Sequence, residues 1–160
     1  MVGRAARVFL EAGCRPLIAV FSDDRVRRAL AGLPLLPVRN LEVERGVGRS
    51  IALGVTALPA DARAAVIGVA DQPLLTAAAL SSLLQAFLPG SIVAPRYGRV
   101  LGNPRVFDRS YFRELAALEG ERGGRSVSDR HRKSVIEVPL DVSMGLDVDR
   151  PEDWPGQRLI

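Results

Sequence analysis

The sequence predicts an α/β fold in which a mostly parallel sheet is covered by helices on both faces. Short aliphatic and β-branched runs alternate with segments whose apolar residues recur every three or four positions. This alternation is typical of strands joined by helical crossovers, which place neighbouring strands parallel to one another. With 160 residues and a hydrophobic content of 48%, the chain has the size of one domain with a substantial core. We therefore expect a single domain over residues 1–160.

The first sixty residues contain five predicted elements. A single apolar stripe indicates each helix, and a continuous apolar run indicates each strand. Ser22 is the predicted N-cap of the second helix, and Gly13 is the predicted C-cap of the first. The elements are a helix before Gly13, a strand over Leu17–Phe21, a helix over residues 22–30, a short strand over residues 36–38 and a helix over residues 51–58.

The rest of the chain continues the alternation. The apolar stripe of the helix that follows Thr76 is core packing rather than a cofactor site, and Thr76 is its predicted N-cap. The elements are a strand over residues 64–70, a helix over residues 77–88, a strand over residues 91–94, a helix after Asp108, a short helix over residues 125–131, a strand over residues 135–138 and a helix begun by Pro151.

The charge distribution argues against a nucleic-acid-binding protein. The formal net charge is +4, Lys133 is the only lysine, and the arginines are scattered rather than gathered on one stripe. A nucleic-acid-binding surface would require a basic face with helical or aromatic readout elements, and none is visible. A small acidic substrate such as a nucleotide fits this charge balance.

Single cysteine and histidine residues exclude several kinds of site. Cys14 is the only cysteine, which rules out an intrachain disulfide and a thiolate metal cluster. His131 is the only histidine and lies in a charged run, which argues against a Ser-His-Asp arrangement. The sequence has neither a stretch long enough to cross a membrane nor an apolar signal-peptide region, so we expect a cytoplasmic protein.

The strongest functional signal is Asp71-Gln72-Pro73, at the end of the apolar run over residues 64–70. Pro73 lacks an N–H group and ends the ladder, and ligands of open α/β sheets bind outside the carboxyl ends of strands. A carboxylate there suits Mg²⁺, which is usually held by one or two carboxylates together with substrate phosphates. Asp71 could instead cap the next helix, but Thr76 is better placed for that role.

Two other segments fit a ligand site, each with an ordinary structural alternative. Gly46-Val47-Gly48-Arg49-Ser50 precedes a helix, and its glycines allow close backbone approach to a ligand, although glycine loops before helices are common. Gly102-Asn103-Pro104 is a tight turn with no functional signal of its own.

The segment over residues 147–153 also leaves two interpretations open. If Pro151 takes the first helical position, Asp149 lies outside the helix and is available for another role. If Asp149 is the N-cap, Glu152 completes a capping box. Asp147 and Asp149 point to the same side of an extended strand, so either could join a metal site.

Taken together, these segments resemble the MobA-like nucleotidyltransferases, and among them the molybdenum-cofactor cytidylyltransferases. The resemblance extends from about Val8 to Trp154, and the order and spacing of the segments make it specific. The matching segments are residues 46–51, 71–74, 93–98, 102–107, 120–123 and 146–153.

The resemblance implies a Rossmann-like (GT-A-like) three-layer nucleotidyltransferase fold and a reaction. The terminal phosphate of a molybdopterin-type acceptor would attack the α-phosphorus of CTP, or alternatively of GTP, and release pyrophosphate. A Mg²⁺ or Mn²⁺ ion would neutralise and orient the phosphates.

The resemblance also implies roles for individual residues. Asp71 would be the principal catalytic metal ligand and Asp149 the second, with Asp147 a less favoured ligand. The implied substrate-binding residues are Gly46, Gly48 and Ser50 near the base and ribose, Gln72 and Pro73 beside the nucleotide, and Gly102, Asn103 and Pro104 on the acceptor side.

The sequence departs from this family in two places. Arg150 occupies the position of a threonine cap. Family members also begin with a strand and a glycine-rich loop that holds the triphosphate, a βα unit of roughly 30 residues that this sequence lacks; Lys133 does not replace the lysine of that loop. We therefore expect an N-terminally truncated domain whose uncovered strand edge favours a homodimer.

The missing segment leaves alternatives to a cytidylyltransferase. One is an inactive remnant that binds nucleotide or pterin, or serves as an assembly partner. Another keeps the enzyme class and changes the substrates to GTP with a pterin, or to a phospholactate or sugar-phosphate acceptor.

Overall fold

The computed structural model describes residues 1–148 and confirms the α/β class. The predicted helix at Pro151, together with Asp149 and Arg150, lies outside the described residues. In chain order, with short 3-10 turns between some of them, the elements are α1 (Val2–Glu11), β1 (Leu17–Phe21), α2 (Asp24–Ala29), β2 (Leu35–Arg39), α3 (Val47–Thr56), β3 (Ala64–Ile67), α4 (Ala77–Gln85), β4 (Ile92–Tyr97), β5 (Val100–Leu101), β6 (Arg105–Asp108), α5 (Phe112–Ala116), α6 (Gly123–Arg130) and β7 (Val135–Leu140).

The strands form two sheets. β1 and β2 pair in parallel, whereas the second sheet has the order β3-β6-β4, with β5 and β7 also paired to β4. Among the described strands of that second sheet, only β4 and β7 are parallel; β3–β6, β4–β6 and β4–β5 are antiparallel. The expectation of a mostly parallel sheet is therefore corrected to a mixed arrangement. A continuous apolar run indicates that a strand is buried on both faces, but it does not indicate the direction of the strand. The short connections that follow β4 require antiparallel pairing, because parallel strands need a longer crossover.

β3 is shorter than the sequence predicts. The apolar run covers residues 64–70, but the strand ends at Ile67, which pairs with Arg105 at the beginning of β6. The residue before Arg105 is Pro104, which has no N–H group to extend the ladder. Asp71 therefore lies beyond an extension over residues 68–70 rather than directly at the strand end.

The core lies on both faces of the second sheet. Val93 and Val106 pack with α1 and α4 on one face, whereas Ile92 and Phe107 pack with α3, α5 and α6 on the other. Neighbouring residues of a strand point to opposite faces, so β4 and β6 each contribute to both clusters. The result is the predicted three-layer arrangement.

The helix ends confirm some predictions and correct others. Thr76 caps α4, because its hydroxyl accepts a hydrogen bond from the Ala79 N–H. The N-cap of α2 is Asp23 rather than Ser22, since the Asp23 carboxylate accepts from the Arg25 N–H. α3 begins at Val47, earlier than predicted, so Gly48 and Ser50 belong to its first turn rather than to a preceding loop.

Cys14 and His131, the only cysteine and the only histidine in the sequence, are both partly buried. Burial raises the pKa of the half-buried Cys14 thiol, although neighbouring Arg15 opposes the shift. His131 Nε2 lies 2.7 Å from Glu114 Oε2, and its ring packs edge-on against Tyr111. Along residues 1–148, every helix is too short or too polar to cross a membrane.

We expect Leu83→Ala to lower the free energy of unfolding by about 2–5 kcal/mol, because Leu83 is 0% exposed in the core of α4. Leu88→Ala is the matched control: Leu88 is 60% exposed, so its loss is expected to cost no more than about 0.5 kcal/mol. Urea denaturation followed by circular dichroism measures both. Equal losses for the two variants would contradict this packing.

Candidate functional site

The segment that contains Asp71 is held against a segment far along the chain. The Val148 N–H donates to the Asp71 carbonyl oxygen at 2.9 Å, and Gln72 Nε2 donates to Asp147 Oδ1 at 3.1 Å. Gln72 is 7% exposed, and its Oε1 accepts no hydrogen bond from the described part of the chain. These contacts bring Asp147 to the segment of Asp71. A shared metal site at these two carboxylates stays a prediction.

Tyr97 packs between Gly145 and the turn formed by Gly102, Asn103 and Pro104. Its hydroxyl donates to the Asn103 carbonyl oxygen at 2.8 Å, and its ring packs so closely on Gly102 and Gly145 that a Cβ on either would lie 2.5 Å from a ring carbon. Burial, with a smaller contribution from the negative charge of Asp147, raises the pKa of Tyr97 to about 12. At neutral pH the phenol is therefore a neutral hydrogen-bond donor.

Arg105 fixes the same turn from inside the protein. It is 4% exposed, and its guanidinium donates to the Gly102 carbonyl oxygen at 2.9 Å, the Ser128 hydroxyl at 2.8 Å and the Leu101 carbonyl oxygen at 3.2 Å. Burial lowers the pKa of the Arg105 guanidinium from its usual range. The turn is thus anchored on two sides, by Arg105 and by Tyr97.

The glycines at the start of α3 are explained by a close approach of two backbone segments. The Gly48 N–H donates to the Gly120 carbonyl oxygen at 2.9 Å, and the Gly120 N–H donates to the Arg45 carbonyl oxygen at 2.8 Å. A Cβ on Gly46 would lie 2.5 Å from the Gly120 carbonyl carbon, and one on Gly48 would lie 2.7 Å from that of Glu119. Contact of these glycines with a nucleotide stays a prediction.

Ser50 is positioned by a buried asparagine. Asn40 is 2% exposed, and its Nδ2 donates to Ser50 Oγ at 2.9 Å, while its own N–H donates to the Phe21 carbonyl oxygen at 2.7 Å. Ser50 is therefore held at the carboxyl ends of β1 and β2. Its oxygen accepts from Asn40, which leaves its O–H able to donate to a ligand.

A cavity of about 950 Å³ lies between the two sheets. Ser50 and Asp71 both line it, which brings together two residues that the sequence predicts for the site. Within the described chain Gly46, Gly48 and the turn at Asn103 lie outside its lining. Of the predicted site residues that the structure describes, Ser50 and Asp71 line the cavity and the others do not.

The donor set near Asp71 fits a hard divalent cation bound together with substrate. Residues 1–148 contain no group of three or more His, Cys, Asp or Glu side chains that could hold a metal ion by themselves. Asp71 and Asp147 lie on segments joined through Gln72. Mg²⁺ and similar ions bind through one or two carboxylates with substrate phosphates, so two carboxylates suffice.

Sequence reasoning gave no individual role to Asn40, Tyr97 or Arg105. Asn40 carries a usable signal, because it is a polar residue directly after the strand β2. The roles of Tyr97 and Arg105 depend on contacts with turns and a helix that only the folded chain brings to them.

We expect Gly48→Ala to destabilise the protein by about 1–3 kcal/mol, because the new Cβ must displace the backbone of Glu119. Gly3→Ala is the matched control: Gly3 is also the second residue of a helix, and a Cβ there would lie 3.4 Å from the Ala29 carbonyl oxygen. That change should stabilise by up to about 1 kcal/mol. Thermal and urea unfolding compare the two, and stabilisation by both alanines would refute the close approach.

We also expect stability to fall at alkaline pH through Tyr97. The folded-state pKa of about 12 lies above the unfolded value near 10, so the neutral phenol stabilises the fold fully below pH 10. That contribution is lost as the pH rises from about 10 to about 12, by roughly 2 kcal/mol.

Tyr97→Phe should remove this alkaline loss while costing about 1 kcal/mol at neutral pH for the missing hydrogen bond. Urea denaturation at a series of pH values measures both effects. Parallel pH profiles for the wild-type protein and the variant would count against the buried phenol.

Comparisons with known proteins agree with this architecture. The family model described as MobA-like NTP transferase domain matches residues 1–135. The bifunctional protein GlmU of Mycolicibacterium vanbaalenii is 32% identical over a match covering 68% of this chain and 24% of that protein, so this chain spans about a quarter of the relative's length.

Solved structures extend the comparison over nearly the whole chain. Rv0371c of Mycobacterium tuberculosis, in complex with manganese, is 28% identical with a TM-score of 0.84, covering 99% of this chain and 84% of that chain. Mth528, a nucleotidyl transferase from Methanothermobacter, has a TM-score of 0.85 at 19% identity over 98% of this chain and 78% of its own, which shows a shared fold. With a family model over most of its length and this fold, the chain belongs to the MobA-like NTP transferase family of nucleotidyltransferases.

Proposed function

We propose that this domain transfers a nucleoside monophosphate, CMP from CTP, to the terminal phosphate of a molybdopterin-type acceptor and releases pyrophosphate. One observation carries the proposal: the segment of Asp71 and Gln72 is tied to that of Asp147 beside a cavity also lined by Ser50. Family membership supports nucleotide chemistry, and the sequence resemblance supports the choice of CTP and acceptor.

The proposed transfer is an in-line displacement at the α-phosphorus. An oxygen of the acceptor's terminal phosphate forms the new bond to that phosphorus, and the bond to the bridging oxygen of pyrophosphate breaks, so the electron pair leaves with pyrophosphate. A divalent cation, when bound, neutralises phosphate charge and orients the reacting groups. Asp71 would hold it, with Asp149 or Asp147 as the second carboxylate.

The neighbouring residues have positioning roles in this proposal. Gln72 donates to Asp147 and thereby fixes the direction of that carboxylate. Ser50, held by Asn40, has its O–H available for an acceptor atom of the base or ribose. Tyr97 and Arg105 hold the turn at Asn103, whose half-buried side chain would face the acceptor.

A second candidate is a protein that binds nucleotide or pterin without transferring it. One observation favours it: among the described residues, the cavity lining includes two cationic side chains, Arg15 and Arg63, and is otherwise mostly apolar. A triphosphate carries several negative charges that must be stabilised in the transition state, and few cations reduce that stabilisation.

We expect Asp71→Asn to weaken binding of CTP in the presence of Mg²⁺ or Mn²⁺ by about tenfold or more, which is about 1.4 kcal/mol. The matched control is Asp61→Asn, a carboxylate that lines the same cavity ahead of β3. Isothermal titration calorimetry with CTP and with GTP, each with and without metal, measures affinity. Circular dichroism verifies that both variants fold.

Pyrophosphate release with a molybdopterin acceptor separates the two candidates. Release by the wild-type protein that Asp71→Asn abolishes and Asp61→Asn preserves supports transfer. Metal-dependent binding without release favours the binding protein. Equal affinity and release for both variants would refute the role of Asp71, and a preference for GTP would overturn the assignment of CTP.

A further inference from the structure

Four charged side chains meet at the start of α3. One carboxylate oxygen of Glu42 accepts a hydrogen bond from Arg45 Nη1 at 2.6 Å, and the other accepts from Arg49 Nε at 2.7 Å. Arg45 Nη2 also donates to Glu119, which lies in the loop between α5 and α6. These four residues form the Glu42 cluster, in which both arginines contact the same glutamate.

The backbone of Glu42 gives it a second connection to α3. Its N–H donates to Asn40 Oδ1 at 2.8 Å, and Asn40 Nδ2 donates to Ser50 Oγ at 2.9 Å. Because Oδ1 faces the Glu42 N–H, the amide of Asn40 directs its Nδ2 toward Ser50. Glu42 is therefore linked to two adjacent residues, to Arg49 through its side chain and to Ser50 through Asn40.

Apolar packing contributes little to this part of the chain. The 3-10 turn over Val43–Arg45 contains no buried residue, and Leu41, just before it, is 79% exposed. α3 begins at Gly46 without a side-chain cap. Polar contacts, together with the close backbone approach to Gly120, therefore determine where α3 begins relative to that loop.

The charges at this point require a carboxylate. Arg45 and Arg49 lie on either side of the first residues of α3, where the helix dipole disfavours cations, and two nearby cations repel each other. Hydrogen bonds from Arg45 and Arg49 lower the pKa of Glu42, so its carboxylate is ionised at neutral pH and offsets both charges. Single exposed ion pairs contribute little, but networks of several charges contribute more.

We propose that Glu42 is a positioning residue, which through its cluster holds Ser50 and the start of α3 against the loop of Glu119 and Gly120 in the arrangement that binds the nucleotide. This inference rests on the proposed function, in which Ser50 contacts the base or ribose. Glu42 acts through Asn40 and Arg49 rather than by contact with the substrate. Its loss should therefore weaken nucleotide binding without slowing the displacement at phosphorus.

Glu42→Gln removes the charge and keeps the size of the side chain. We expect the dissociation constant of CTP with Mg²⁺, measured by calorimetry, and the KM for CTP to rise about tenfold, with kcat within about twofold of the wild-type value. The matched control is Glu44→Gln. Glu44 is exposed in the same 3-10 turn, and within residues 1–148 it has no ion pair. This variant changes the net charge equally and should bind CTP like the wild-type protein.

Hydrogen exchange tests the positioning without any nucleotide. The N–H groups of Gly48 and Gly120 donate across the contact between α3 and the loop, to Gly120 and Arg45 respectively. In Glu42→Gln we expect both amides to exchange about tenfold faster, because the two segments separate more often. The amides of Ile92 and Val93, in the core of β4, should exchange at wild-type rates. Nuclear magnetic resonance of the full 160-residue protein measures all four.

A double-mutant cycle tests whether Glu42 acts through Arg49. Arg49→Gln alone should also raise the dissociation constant of CTP. The double variant should bind no more weakly than the weaker of the two single variants, because both changes remove the same contact. Additive losses would show that Arg49 acts on the nucleotide separately and would overturn the cluster as one unit.

The remaining outcomes separate this inference from the proposed function. Unchanged exchange at Gly48 and Gly120 in Glu42→Gln would overturn the positioning. Faster exchange with an unchanged dissociation constant would show that the cluster supports only the fold, and a fall in kcat at constant KM would exclude a role in affinity. A wild-type protein that binds neither CTP nor GTP would refute the proposed function and the nucleotide role of Glu42, while exchange would still decide whether Glu42 holds the two segments together.

Discussion

The pairing of β3 with β6 is the constraint on which the candidate site depends. The ladder runs from Ala64 opposite Asp108 to Ile67 opposite Arg105. Pro104, the residue before Arg105, offers no N–H group to continue the ladder. Beyond that pair, therefore, the backbone next to β6 forms the turn at Pro104, and the backbone after β3 leaves the sheet toward Asp71. The same pair of strands therefore sets the position of both the carboxylate segment and the turn.

The side chain of Arg105 then holds the turn that follows the end of this ladder. The Arg105 guanidinium is buried without a carboxylate among its described hydrogen-bond partners, and it donates to the carbonyl groups of Leu101 and Gly102 and to the Ser128 hydroxyl. A buried cation is costly to desolvate, so its several hydrogen bonds are needed to offset that cost. Because these partners belong to β5, to the turn and to α6, the geometry of the turn is coupled to the packing of α6.

Backbone contacts fix the remaining parts of the site. The ties of Val148 to Asp71, of Gly48 to Gly120 and of Asn40 to Phe21 all run between main-chain groups. Such ties depend weakly on side-chain identity, and they join residues far apart in the sequence. This is the physical reason that apolar periodicity predicts the helices and strands but cannot predict which loops meet.

Particular elements show where sequence reasoning succeeded. The strand over Leu17–Phe21, the cap at Thr76 and the core positions of α4 were predicted, because each follows from local periodicity or local capping chemistry. The length of β3 was wrong, because it is set by the partner strand rather than by its own apolar run. Asp23 rather than Ser22 caps α2 for a similar reason. Both residue types are favoured as N-caps, and the conformation of the backbone determines which of the two adjacent residues takes that position.

The glycines of α3 show a further limit of sequence reasoning. Their spacing was interpreted as allowing close backbone approach to a ligand, whereas the group that approaches them in the described chain is the segment of Glu119 and Gly120. A missing Cβ reveals that something must come close without revealing what it is. A glycine alone therefore does not identify a site residue, and a separate contact is needed. For Ser50, which follows these glycines, that contact is the hydrogen bond from Asn40.

The charge of the cavity bears on the proposed chemistry. Its described lining carries two arginines, Arg15 and Arg63, and is otherwise largely apolar. A triphosphate carries several negative charges, which must be offset both in the bound state and in the transition state. Two arginines offset only part of that charge, so the proposed transfer depends more on a divalent cation held by carboxylates than on the side chains of the cavity itself. For this reason the carboxylate of Asp71, rather than a cationic side chain, is the group on which the proposed reaction rests.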